Sequence, residues 1–519
     1  MESPLVRMCI ESATESDEAV EIWRRQRRTI ERMPSHLAEA LFQNLLRRRL
    51  VFPALLEVFK YSIEEMDLTG ENHVDAEWTA YLGSYNYLRR LVLADCNKIS
   101  NSAIWSLAGM ENLKEVDLSR CSKITDAGIK HLLSIPTIEK LCISGTSVTA
   151  AGVSALSSLT NLQFLDLGGL PVTDMTLSSF QALTKLQHMD LWGTQVSNVG
   201  VAHLVKLPSL HFLNLAWTKV TYLPNLPSLV CLDMSNCTVH SLFEGQHVAC
   251  LRRLTLSGST LPDISELFLH IDASRLSVLD LACSAIRSFS FLLHTNQLTE
   301  LNLSGCRLDD HSVQHIISVG TSLRYLNLSD TQISSQGVEQ MAGMFPNLET
   351  LLLSGTAVDD VAVPYISSMS SLKEVDLSNT NLKGCTAHLE VACVSYRVPS
   401  FSALNHLWNL ERLNLEGINL HDAAAAAISS LADIPKLSHL FLRSFSLTDD
   451  SLHRSCSLPN LIRLGFRDAV ATDVGLGNLC SPPPSLRVLD LRGCWLLSGD
   501  GLVSFGRKHS RVEVRHELV

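Results

Sequence analysis

Leu323-Arg-Tyr-Leu326-Asn-Leu328-Ser-Asp-Thr331 is followed, 348 − 323 = 25 residues later, by Leu348-Glu-Thr-Leu351-Leu-Leu353-Ser-Gly-Thr356. Inside each phrase the leucines alternate with period two, which is the signature of a strand with one buried side. So short a strand cannot bury that side alone. Copies stacked at a fixed period can share one continuous core.

Phrases of this kind begin at Ile63, Leu88, Leu113, Ile138, Leu162, Leu186, Leu210, Leu229, Leu251, Leu276, Leu298, Leu323, Leu348, Leu372, Leu410, Leu437, Leu461 and Leu486. Steps are mostly 24 or 25, as in 186 − 162 and 113 − 88. The pattern and period are those of a leucine-rich-repeat solenoid of about 18 repeats. Several phrases lead into a turn such as Ile124-Thr-Asp-Ala-Gly-Ile129 and then an apolar helical run. Thr125 or Asp126 can cap the helix that follows. The expected fold is therefore α/β, a ribonuclease-inhibitor-like horseshoe with parallel strands on the concave face and helices on the convex face. Arg511-Val-Glu-Val-Arg515 reads as a final capping strand.

Residues 1–60 lack the phrase and read as short helices: Pro4 to about Ala13, Ser16 to Arg32, Pro34 to about Arg48, and Ala54 to Tyr61. The expected organisation is an N-terminal helical segment, 1–60, and a solenoid, 61–519. Two irregularities interrupt the solenoid. Between 210 and 250 the steps shorten to 229 − 210 = 19 and 251 − 229 = 22, and Tyr222-Leu-Pro-Asn-Leu-Pro cannot hold a normal helix because each proline removes an amide donor. The step 410 − 372 = 38 places an insertion at about 383–405, a loop or a short extra element.

Composition narrows the function. A formal net charge of −11 argues against bulk nucleic-acid binding. The N-terminus has no basic start followed by an apolar core, and no run of eighteen apolar residues is present, so the 14 cysteines are expected to be reduced, in cytosol or nucleus. Cys96, Cys121, Cys237, Cys306 and Cys494 all fall three residues after the last apolar strand position, a slot held elsewhere by Thr146, Thr194, Thr218, Thr331, Thr356 and Thr380. They read as ladder residues that bond to the turning backbone, and no cysteine or histidine spacing suggests a metal site. No phosphate loop or nucleophile elbow appears. Neither an enzyme nor a cofactor is expected.

The strand faces carry two departures from their small-residue background. Trp192 stands beside Phe164, His188 and Phe212, a candidate protein-binding patch. Arg443, Arg467 and Arg492 hold one position in three consecutive repeats, with Arg463 beside them. Three stacked arginines repel unless an anionic ligand joins them or nearby acids such as Asp468 and Asp490 pair with them. A column of Asp and Asn between the last two leucines makes a polar floor that is generic to the repeat.

Pro4-Leu5-Val-Arg-Met-Cys9-Ile-Glu-Ser-Ala13 resembles the BC box, the helix by which von Hippel–Lindau-type and SOCS-type ubiquitin-ligase receptors bind Elongin C. Leu5, Cys9 and Ala13 are four apart and share one helical face. Met33-Pro34-Ser-His-Leu37-Ala-Glu-Ala-Leu41 resembles the cullin-2 box that follows it in such receptors, although nineteen residues, 14 to 32, separate the two. The same Pro34, Leu37 and Leu41 also fit the opening of an F-box, which binds Skp1, though its later half is not matched. Both stretches could equally be an amphipathic cap on the open end of the solenoid. The resemblance implies a substrate receptor of a cullin ubiquitin ligase, with an Elongin C or Skp1-type adaptor and a protein substrate on the repeat face. The alternative is a stand-alone interaction scaffold or a regulatory or immune sensor. Neither nucleic acid nor membrane is an expected partner.

Overall fold

The structure, a computed structural model, describes residues 4–25, 33–244, 248–261, 264–383, 389–391, 394–396, 400–418, 424–479 and 482–517. The chain divides into two compact units, Met1–Leu251 and Arg252–Val519. Each is a leucine-rich-repeat solenoid segment. Among the described residues the first unit holds eight repeat strands, Glu65–Asp67 to Cys231–Asp233, and the second eleven, Arg253–Thr255 to Glu513–Arg515. Every phrase read in the sequence carries one strand, and the last strand is the expected terminal one. Successive strands pair in parallel and in register, as in Leu165↔Met189↔Leu213 and Leu440↔Leu464↔Leu489. In the three-residue strands from Glu65–Asp67 to Val488–Asp490 that form the repeats the central residue is buried, whereas most flanking residues are half-exposed.

Where the turn after a strand carries cysteine or threonine in the ladder slot, the side chain is used in two ways. Thr146, Thr194, Thr331 and Thr356 donate to the carbonyl three residues earlier in their own repeat, at 2.6–2.7 Å. Cys96, Cys121, Cys306 and Cys494 donate to a carbonyl of the preceding repeat: Leu68, Leu93, Leu281 and Phe466. Burial pushes the Cys96 thiol up to about 12 and Cys121 to about 11, so these groups stay protonated and hold the stack together. The Asp and Asn floor is structural in the same sense. Asp117, Asp166, Asn327 and Asp376 each accept the amide two residues on, closing the strand with an Asx turn.

On the other side of the repeats, Thr125 caps its helix by accepting from the Ala127 amide. Asp126 does something the sequence reading did not foresee: it reaches into the next repeat, where its carboxylate accepts from the Thr149 amide at 2.7 Å and hydroxyl at 2.6 Å. Asp174 binds Ser197, Asp310 binds Ser334 and Asp449 binds Thr472 in the same way. The carboxylate ends lie where a Cβ would stand on Gly152, Gly200, Gly337 and Gly475. The second position of this turn, when acidic, and the fourth, when glycine, therefore link successive repeats, and Thr125-Asp-Ala-Gly128 and Thr472-Asp-Val-Gly475 carry both. The acid serves the following turn, and the glycine makes room for the side chain from the preceding repeat.

The N-terminal helices Pro4–Ala13, Asp17–Arg24 and Ser35–Arg47 agree with expectation over the residues described. Ser35–Arg47 lies against the first strand. Glu39 Oε1 accepts from the Glu64 and Glu65 amides at 3.2 and 3.0 Å, and Gln43 donates to the Asp67 carbonyl at 2.9 Å. Edge-strand groups that would face water are thereby satisfied. The proline-bearing stretch is free of helix: none is found among the described residues between Asn214 and Ile264. The boundary between the units falls in this stretch. The insertion holds an antiparallel pair, Leu389–Val391 with Val394–Tyr396, and a 3-10 turn at Ser400–His406.

Candidate functional site

The adaptor-type residues separate into two environments. On the first helix Leu5 is 70% exposed, Met8 and Cys9 are also exposed, and Ala13 is half-buried. The C-terminal end of that helix is anchored: Thr14 Oγ1 donates to Asn44 Oδ1 at 2.8 Å, and Arg48 donates to the Thr14 carbonyl at 2.9 Å. The helix is thus held in place while Leu5 and Cys9 face outward. In Ser35–Arg47, by contrast, Leu41 is 5% exposed, and Phe42 and Leu45 are buried with it. Phe42 meets Phe59 edge-on at 5.5 Å. Pro34 is exposed and Leu37 half-buried. The assignment of Leu41 to a partner contact is corrected: its side chain is used by the protein's own core.

The arginine row also needs correction, because its charge is compensated internally. Arg443 pairs with Asp468 at 2.5 Å. Arg467 sends Nε and Nη2 to Asp490 at 3.0 and 2.6 Å and Nη1 to Glu416 at 3.2 Å. Arg492 grips Asp490 through Nε and Nη2 at 2.9 and 2.8 Å. Arg463 lies over the Phe441 ring at 5.5 Å. Asp490 is 1% exposed. Burial alone would raise its carboxyl, but the hydrogen bonds from Arg492 and Arg467 outweigh that and hold it well below the usual carboxylate range. Three guanidiniums are thus matched by three carboxylates, Arg443 by Asp468 and Arg467 and Arg492 by Asp490 and Glu416, and an external anion is not needed to relieve repulsion. A recess of about 440 Å³ lies beside it, lined by Asn379, Arg443, Phe445 and Asp468 among others.

In the first unit the aromatic residues do come together. Phe164, His188 and Phe212 hold one register on three consecutive strands. Their rings stack at 3.9 and 3.8 Å with interplanar angles of 12° and 4°. The Lys140 ammonium closes one end, 4.8 Å from the Phe164 ring. Trp192 is 48% exposed and rests on the Gly168–Gly169 turn, where a Cβ would lie 3.6 Å from the indole. Trp217, which the sequence reading did not single out, is 61% exposed and follows the next strand. It adopts φ +60°, in a slot held by Gly145, Gly169 and Gly193 in the three preceding repeats.

Burial between two phenyl rings, with Lys140 nearby, lowers the His188 pKa from its ordinary value to about 4. The unfolded chain binds a proton near pH 6.5 and the folded chain does not. Stability is thus complete above about pH 6.5 and falls as pH drops toward 4. A two-dimensional NMR titration is expected to show His188 neutral at pH 5.5. His188→Phe, which keeps the stack, should reduce the acid sensitivity of unfolding. A His188 midpoint near 6.5 would refute the sandwich.

Among the described residues, no group of three or more His, Cys, Asp and Glu is placed to hold a metal ion, and no helix is long and apolar enough to cross a membrane. A sequence profile described as "Leucine Rich repeat" matches residues 109–133, 321–342 and 483–506. No curated protein sequence matches. Solved structures with similar folds include a leucine-rich-repeat protein of Leptospira interrogans, with 17% identity, TM-score 0.46, and coverage of 89% of this chain and 97% of that one. An internalin of Listeria monocytogenes shows 20% identity, TM-score 0.35, and coverage of 69% and 82%. The plant peptide hormone receptor RGFR1 in complex with RGF2 shows 15% identity, TM-score 0.38, and coverage of 90% and 81%.

Proposed function

We propose that this leucine-rich-repeat protein is a non-catalytic recognition subunit whose first helix docks an Elongin C-type adaptor and whose strand face holds a protein substrate, for ubiquitin transfer by partner subunits. The observation that carries this reading is the first helix. It is pinned at Thr14, and it presents Leu5 and Cys9 side by side, one turn apart, with Leu5 largely exposed. A small residue beside a protruding leucine suits close helix packing into a partner's pocket. The Skp1 alternative draws on Leu41, which is buried within the protein and leaves little side chain to offer. Cytosol and nucleus are the compartments where such a subunit would act.

The test is co-purification of the full chain with Elongin C. Wild type is expected to bind. The double change Leu5→Ala and Cys9→Phe is expected to abolish binding without shifting the urea midpoint, because both side chains are exposed. The adaptor role fails if wild type does not bind Elongin C, or if the double variant binds as tightly. The stand-alone scaffold would then be the better account, with helix Ser35–Arg47 acting only as the cap that its bonds to Glu64, Glu65 and Asp67 describe.

A further inference from the structure

We infer that the aromatic strand face of the first unit is a docking surface for an extended, arginine-bearing segment of a partner protein. This rests on the strand face being the recognition surface, and it is independent of the adaptor helix. Charge complementarity decides the occupant. Asp166 and Asp190 are partners on adjacent strands, and Asp233 lies two strands beyond Asp190, across Asn214, in the same column beside the ring stack. Among the described residues, the side-chain and backbone groups that donate to them are neutral. Asp166 takes Ser144 Oγ and the Gly168 amide, Asp190 takes Asn214 Nδ2 and the Trp192 amide, and Asp233 takes the amide and hydroxyl of Ser235. In the second unit one acid of this column, Asp490, is neutralised by two arginines, whereas Asp280 and Asp376 accept from neutral donors. Among the described residues, no cationic side chain is bonded to Asp166, Asp190 or Asp233, so a partner's cation can be received there.

Aromatic groups border that acidic column. The Phe164–His188–Phe212 stack runs along one side. The residues following the strands on the other side include the exposed Trp192 and Trp217. A guanidinium can lie flat on an indole or phenyl face while its fork meets a carboxylate, which an ammonium does less well. Alternate side chains of an extended segment project to one face roughly 6.6 Å apart, while neighbouring strands are about 4.8 Å apart, so cations on alternate residues can follow the acidic run. Lys140 marks the end of the patch, since its ammonium would oppose a cation placed over Phe164. Trp217 adds a second argument. A bulky residue at positive φ is disfavoured, and this slot is held by glycine in the three preceding repeats and by Asn236 in the next, so the indole is present at a cost to folding.

The experiment measures binding of the full chain to three synthetic peptides, alternating Arg-Ser, Lys-Ser and Glu-Ser, by fluorescence anisotropy at two salt concentrations. The expected order is Arg-Ser tighter than Lys-Ser, with no binding of Glu-Ser and weaker binding in high salt. Trp192→Ala, and separately Asp190→Asn with Asp233→Asn, should weaken the Arg-Ser peptide by roughly tenfold or more, whereas Glu111→Gln, an exposed acid outside the strand face, should not. Trp217→Gly should weaken binding and raise the unfolding midpoint together, a combination that misfolding cannot produce. The inference is overturned by no binding of the Arg-Ser peptide, by equal binding of Glu-Ser, or by binding that these face variants leave unchanged. Elongin C plays no part in the measurement, so its result and the adaptor test can fail separately.

Discussion

Gly475→Ala is expected to destabilise the second unit by ~2–4 kcal/mol, while Gly477→Ala in the same helix, Asp473–Asn478, should leave it unchanged or raise it by up to ~1 kcal/mol. Intrinsic helix preference favours alanine at both positions. What separates them is the preceding repeat. A Cβ on Gly475 would stand 2.7 Å from Asp449 Cβ and nearer still to its carboxylate, whereas a Cβ on Gly477 meets nothing within 4 Å. The Asp449 carboxylate cannot swing aside without giving up the Thr472 amide and hydroxyl, each at 2.7 Å. Overpacking costs ~1–3 kcal/mol and an unsatisfied amide a similar amount, which together exceed the helix gain. Urea unfolding of the two variants provides the measurement. Asp449→Ala supplies a double-mutant cycle: in its background Gly475→Ala should cost much less, because the obstructing group is gone. Equal effects at Gly475 and Gly477 would show that the Asp ladder does not constrain the glycine.

Leu41→Ala is expected to cost ~2–5 kcal/mol of stability, and Leu5→Ala close to nothing. Both leucines belong to helices that resemble adaptor-binding boxes, and sequence treats them alike. Leu41 is packed with Phe42 and Leu45 under a helix whose Glu39 and Gln43 satisfy the first strand, so its loss leaves a cavity at the end of the core. Leu5 is largely in solvent and has little burial to lose. Thermal unfolding of the two single variants, read alongside adaptor binding, separates the roles. A large stability loss in Leu5→Ala, or none in Leu41→Ala, would reverse the assignment of cap and docking helix.

The repeat architecture was legible because its cause is periodic and local. A phrase such as Leu323-Arg-Tyr-Leu326-Asn-Leu328 states which side chains face inward, and its recurrence places the repeat strands from Glu65–Asp67 to Val488–Asp490. Prolines at 224 and 227 marked the helix-free stretch for an equally local reason, the missing amide donors. The cysteine slot was readable too, since a small donor was needed wherever the strand turned.

What sequence could not decide depends on a neighbour one repeat away and on angles. Asp126 appears in sequence as a helix-capping candidate, but its bonds go to Thr149, 23 residues on. Three arginines in one column read equally well as an anion site or as ion-paired residues; the side-chain geometry around Asp490 and Glu416 settled their compensation. Phe164, His188 and Phe212 were visible as neighbours, but their near-parallel stacking, which keeps the histidine neutral, exists only once the register is set. Leu5 and Leu41 obey the same apolar pattern, and only packing shows which is covered. Inward-facing positions follow from periodicity, whereas charge compensation and exposure are sums over contacts that the chain makes only when its repeats are stacked.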